Sequence, residues 1–191
     1  WGSSIKIITD ANYFISNYSK AYDIENNTIA LSMATATAPN EIFILEEKKL
    51  QKISDHNDKL LSERFLNPIE SLSYPSFDGT EIHGMLIKPH NFNADRKYPL
   101  IIRIHGGPVS QYDQQFYLQW QIFAGNEYLV MAVNPRGSSG RGEDFQKAIY
   151  ADWGNVDAKD IIAAIDFALT LDFIDENRLG IGGWSYGSML T

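Results

Sequence analysis

The 191-residue sequence has no cysteine, which excludes a disulfide framework, a thiolate metal site and a catalytic thiol. That absence does not settle the compartment, because many exported proteins also lack disulfides; the compartment is left open, with the cytoplasm slightly favoured. Positive charge is scarce, with 16 Lys and Arg against 24 Asp and Glu and a net charge of −8. Without a basic face, neither nucleic acid nor an anionic membrane surface is an expected partner. Long apolar runs are missing too. Tyr128–Val133 is among the longest, about a third of the ~20 residues that a spanning helix needs. The chain opens Trp1-Gly2-Ser3-Ser4, with no charged-then-apolar leader to read as a signal peptide. No His-x3-His, paired acids or other ligand spacing is present, so neither a metal nor a cofactor is expected. What remains is a chain with 44% hydrophobic residues, which is ordinary globular composition and enough for a sizeable core in one domain or two small ones.

Residues 1–66 read as all-β. Thr28–Thr35, Glu41–Glu46 and Leu50–Ser54 are short strand candidates, with a turn at Pro39-Asn40 and a solvated corner at Lys48-Lys49. Such spacing suggests a propeller blade or part of a sandwich, and a single blade needs neighbours to bury its faces. The pattern changes after Leu66-Asn67-Pro68. Ile69–Ser76 and Glu81–Pro89 form a hairpin through Phe77-Asp78-Gly79-Thr80, where Asp-Gly supplies the positive φ of a tight turn. Pro99–His105 and Tyr128–Val133 are buried strands, with a helix expected over Gln114–Ala124 between them. A short helix is expected over Glu143–Tyr150 and a longer one with Asn155 or Asp157 as its cap. The longer helix would carry Ile161, Ile162, Ile165, Ala168 and Leu169 as its apolar stripe. A strand over Arg178–Gly182 completes an α/β alternation with parallel pairing. Residues 67–191 are therefore the α/β domain. The sequons at Asn17 and Asn26 are too short a pattern to prove export.

The strongest chemical signal is Gly183-Trp184-Ser185-Tyr186-Gly187. A serine between glycines, after a strand and before a helix, has the context of a nucleophile elbow. Ser185 would sit at a strained backbone conformation, its neighbours kept small so that the turn packs. The N–H of Tyr186 would point at a developing oxyanion. Gly180-Ile181-Gly182 fails as a dinucleotide fingerprint, because the third glycine would fall at Ser185. His105-Gly106-Gly107-Pro108 ends a buried strand upstream, and Gly107 is the candidate second oxyanion donor. His105 organises that loop by hydrogen bonding rather than acting as base. His56, His83 and His90 lack partner spacing and read as surface or structural. Arg136 could bind a substrate carbonyl or carboxylate, or tie its loop to acidic neighbours, and the tie is the stronger reading. Tyr186 could also wall a substrate pocket. Asp157, Asp160 and Asp166 read as a helix start and a solvated face, and no triad acid is assigned.

Together with Asn134-Pro135-Arg136-Gly137-Ser138 and Asp152-Trp153-Gly154, these segments resemble the prolyl oligopeptidase family of serine peptidases. Residues 1–66 resemble the end of its β-propeller and 67–191 the first half of its α/β-hydrolase domain. The His-Gly-Gly-Pro form looks more like the acylaminoacyl-peptidase branch than the dipeptidyl-peptidase branch, which typically has Tyr at position 105. The resemblance implies cleavage of short peptides, with Ser185 as nucleophile and Gly107 and Tyr186 as oxyanion donors. Gly187-Ser188 replaces the frequent Gly-Gly after the elbow, a small change expected to adjust packing. The family's triad Asp and His would lie beyond Thr191, in the remainder of the catalytic domain, leaving this chain alone inactive. A carboxylesterase or lipase-like hydrolase and a non-catalytic binding module are the alternatives. Oligomeric state is left open.

Overall fold

The computed structural model describes residues 14–20 and 28–191. The opening four residues and the sequon at Asn26 lie outside the described residues. Two compact units divide the chain, one on Trp1–Leu66 with Gln114–Leu118, the other on Asn67–Asp113 with Gln119–Thr191.

The first unit is a four-stranded antiparallel meander of β1 (Phe14–Lys20), β2 (Ile29–Thr35), β3 (Ala38–Glu46) and β4 (Lys49–Lys52). Leu31, Met33 and Leu45 form its core, with Ile29, Phe43 and Leu50 packed against them. The β2–β3 turn falls at Ala36-Thr37, not at the expected Pro39-Asn40. Pro39 lies instead in the register irregularity between the Thr35–Ala38 and Met33–Glu41 pairs, where its missing N–H is tolerated. A short helix, α1 (Asp58–Ser62), corrects the all-β reading. Buried Glu41 secures the approach to it, accepting from the Asn57 N–H at 3.0 Å and from the Ser54 hydroxyl.

In the second unit β5 (Ile69–Pro75), β6 (Glu81–Ile87), β7 (Tyr98–Ile104), β8 (Leu129–Asn134) and β9 (Ile174–Gly183) form one mixed sheet in the order β5-β6-β8-β7-β9. The β5–β6 and β6–β8 pairs are antiparallel, while β8 and β9 flank β7 in parallel. The hairpin turn is the one Asp-Gly announces, with Gly79 at φ +83° and Asp78 Oδ1 accepting from the Thr80 N–H at 3.1 Å.

Helices α2 (Leu118–Gly125), α3 (Glu143–Lys147), α4 (Val156–Leu169) and α5 (Tyr186–Met189) join the strands. Helix α2 starts four residues later than expected. Upstream, the Asn134 side chain occupies both the N–H and the carbonyl of Tyr112, holding that segment as a loop. Every residue of β8 is buried, as befits a central strand covered on both faces. Tyr98, Leu100, Ile102 and Ile104 of β7 pack with Leu129, Met131 and Val133 of β8 and with Ile161, Ala164 and Ala168 of α4. Helix α4 is rotated from the expected stripe, so that Ile162 and Leu169 are exposed and Asp157 and Asp160 are buried. No helix among the described residues is long and apolar enough to cross a membrane. Because β7, β8 and β9 run parallel, their carboxyl ends, and the loops that leave them, meet at one edge of the sheet.

Candidate active site

Strand β9 ends at Gly183, paired with Ile104, and α5 begins at Tyr186. Between them Ser185 adopts φ +53° and ψ −120°, a conformation that costs a non-glycine residue about 1–3 kcal/mol. The turn is closed by the Gly187 N–H on the Trp184 carbonyl and the Ser188 N–H on the Ser185 carbonyl, each at 2.9 Å. The Ser188 hydroxyl adds a bond to the Gly183 carbonyl at 3.0 Å, so the departure from Gly-Gly contributes to closing the elbow.

Both flanking glycines are sterically obligatory. A Cβ on Gly183 would lie 2.2 Å from the Gly187 carbonyl carbon, and one on Gly187 would lie 2.3 Å from the Ile104 oxygen. The His105–Pro108 loop lies against this turn, since a Cβ on Gly106 would come within 3.2 Å of the Trp184 oxygen and 3.4 Å of Ser185 Cβ. Gly107 has φ +136°. Neither the Gly107 N–H nor the Tyr186 N–H meets an acceptor among the described residues.

His105 is buried, with Nδ1 2.7 Å from the Gly106 oxygen and Nε2 2.8 Å from Ser138 Oγ. Burial lowers its pKa, against the raising effect of the Gly106 bond. Nδ1–H donates to the Gly106 carbonyl, while Ser138 Oγ, whose hydroxyl also donates to the Pro135 carbonyl at 2.6 Å, lies against Nε2. Both ring nitrogens therefore hold loops, and among the described residues no histidine is hydrogen-bonded to Ser185 Oγ.

Arg136 has its guanidinium committed to carboxylates. Its Nη2 donates to Asp160 Oδ1 at 2.7 Å, its Nε to Asp160 Oδ2 at 3.1 Å and its Nη1 to Asp78 Oδ2 at 2.6 Å. Asp160, fully buried, also accepts from the Arg136 N–H at 2.8 Å and from the Ser76 hydroxyl at 2.5 Å. This geometry is a loop tie, not a group held out towards a substrate. The Tyr186 side chain is likewise turned inward. It is 5% exposed, its hydroxyl donates to Asp157, and its ring meets Trp153 edge-on at 5.3 Å.

Asp157 and Asp160 correct the expectation of a solvated face, since both are fully buried, while Asp157 does stand in the first turn of α4. Its Oδ1 accepts from the Gly154 N–H at 2.9 Å and from the Ala158 N–H at 3.0 Å. The Asn155 side chain, at the N-cap, bonds Asp152 instead of capping α4. Sequence reasoning missed Asp157 and Asp160 although one signal was available, because Asp157, Asp160, Ile161, Ala164 and Ala168 recur at helical spacing on one face. Among the described residues no group of three or more His, Asp or Glu is arranged to hold a metal ion.

The sequence pattern of the prolyl oligopeptidase family matches residues 114–191. The chain is 36% identical over 183 residues to an uncharacterized peptidase of Bacillus subtilis, YuxL, covering 93% of this chain and 27% of that protein. It is 31% identical over 198 residues to human dipeptidyl peptidase 8, covering 100% of this chain and 21% of that protein. An acylaminoacyl peptidase from Pyrococcus horikoshii superposes with a TM-score of 0.86 at 29% identity, over 100% of this chain and 30% of that structure. The chain thus spans less than a third of each of these proteins. It belongs to the prolyl oligopeptidase family, a family of serine peptidases.

Proposed function

We propose that this chain carries the nucleophile and the oxyanion donors of a serine peptidase acting on short peptides. The observation that carries the reading is the backbone of Ser185, strained at φ +53° between two glycines that tolerate no side chain. That strain lifts Oγ off the strand end onto an exposed turn. There Oγ attacks the scissile carbonyl, its proton passes to a base, and the oxyanion accepts from the N–H groups of Gly107 and Tyr186, each worth about 3 kcal/mol in the transition state. Collapse of the tetrahedral intermediate releases the amine and leaves an acyl-enzyme on Ser185, which water hydrolyses.

Among the described residues no histidine is hydrogen-bonded to Ser185 Oγ; in this reading the base and its acid come from parts of the protein outside these 191 residues, which alone are inert. In this reading the second unit is the first part of an α/β-hydrolase sheet, and the antiparallel meander is a propeller blade that restricts substrates by size. The test is fluorophosphonate labelling of the intact protein, read by intact mass. One adduct, abolished by Ser185→Ala, is the expected result. An adduct that persists in Ser185→Ala refutes the assignment, and hydrolysis of acyl esters with no cleavage of peptide amides refutes the peptidase.

A further inference from the structure

We infer that Asp157 is a positioning residue for the nucleophile turn, acting through the Tyr186 hydroxyl; this rests on the reading of Ser185 as nucleophile. Its carboxylate is fully buried and has no cationic partner among the described residues. A buried carboxylate is costly unless hydrogen-bonded. Here the hydrogen bonds come from the Tyr186 hydroxyl and from the N–H groups of Gly154 and Ala158. The carboxylate therefore joins the first turn of α4 to the residue that follows the nucleophile.

Tyr186 needs such an anchor. It opens α5 directly after the strained Ser185, and the first N–H groups of a helix have no intrahelical partner to fix them. The Trp153 ring meets the phenol edge-on at 5.3 Å, and the bond to Asp157 holds its hydroxyl. Because Tyr186 is covalently next to Ser185 and supplies the proposed oxyanion N–H, tilting its ring would move both Oγ and that donor. Asp157 touches neither substrate nor reacting atoms, so its effect is on geometry alone.

The test uses the intact protein with Tyr186→Phe, Asp157→Asn and the double variant, all near-isosteric, and with turnover expressed per fluorophosphonate-titrated site. Each single variant is expected to lower kcat by about 10-fold to 100-fold while KM stays unchanged. The double variant should be no slower than the slower single one, because both cut the same link. Unchanged kcat per titrated site in Tyr186→Phe and Asp157→Asn, with or without a lower melting temperature, overturns the inference while leaving the peptidase reading intact. Turnover that survives Ser185→Ala overturns the peptidase reading itself.

Discussion

Replacing Gly187 by alanine puts one methyl group where the structure has no room for it. The added Cβ would sit 2.3 Å from the Ile104 oxygen and 2.8 Å from the His105 oxygen. Ordinary contact begins at 3.4 Å, so the shortfall is 3.4 − 2.3 = 1.1 Å. The Ile104 carbonyl cannot readily give way, because β7 is bonded on both sides, to β8 and to β9. The elbow must move instead, by about 1 Å, and a displacement of that size costs about 100-fold in rate at a reacting centre. Overpacking also destabilises by about 1–3 kcal/mol. The assay is the rate constant for fluorophosphonate labelling of Ser185 in the intact protein, with the urea midpoint measured on the same samples. Gly125→Ala serves as control: no atom lies within 4 Å of its added Cβ, and it should label at the wild-type rate. Wild-type labelling and an unchanged midpoint in Gly187→Ala would refute the argument that close approach fixes this position.

Three further perturbations follow from the hydrogen bonds around the site and in the meander. Asp160→Ala removes the main partner of a buried arginine and should cost about 3–5 kcal/mol by urea unfolding, towards the low end because Asp78 still pairs with Arg136; an unchanged midpoint would dismiss the tie. Ser138→Ala leaves the buried His105 Nε2 without its 2.8 Å partner, with an expected loss of about 1–3 kcal/mol and slower labelling of Ser185. In the meander, burial raises the pKa of Glu41, but bonds from the Ser54 hydroxyl and from Asn57 outweigh it and hold the carboxyl at about 2 instead of 4.5. A depressed carboxylate stabilises fully above its unfolded pKa and loses that contribution as pH falls through the folded one. The unfolding midpoint should therefore decline between pH 4.5 and pH 2, and Glu41→Gln should flatten that limb.

Features carried by one residue type in a short window were legible in the sequence. Asp78-Gly79 gave its hairpin turn because only a few residues tolerate φ +83°, and Gly183 and Gly187 marked the sharp turn because any Cβ there strikes backbone. The apolar runs gave β7 and β8 to within a residue or two. Features that depend on a distant partner were hidden. Pro39-Asn40 has the composition of a turn, yet pairing with β2 absorbs the proline at an irregularity. Gln114–Tyr117 has helical composition, yet Asn134, twenty-two residues after Tyr112, holds the preceding loop by both backbone groups. Arg136 could be read as a loop tie without its partner Asp160, and Tyr186 could be located but not oriented, since the direction of each side chain is set by an aspartate on α4.

Those two aspartates explain why α4 is the element most poorly read and the one most involved in the site's support. Charged residues near the start of a helix ordinarily complement its dipole and face water. Asp157 and Asp160 instead fall three residues apart on the face that also carries Ile161, Ala164 and Ala168, so the core covers them along with the apolar residues. Each then takes its hydrogen bonds from a different loop at the carboxyl edge of the sheet. Asp157 holds the elbow through Tyr186, while Asp160 holds the Asn134–Gly140 loop through Arg136 and the β5–β6 turn through Ser76. From the Arg136 loop the support reaches Ser138, His105 and then the Gly106 carbonyl, one residue from the proposed donor at Gly107. One helical turn thus braces both sides of the proposed oxyanion site. Buried carboxylates that add little net stability against an apolar core are understandable where they hold two loops in register with one nucleophile.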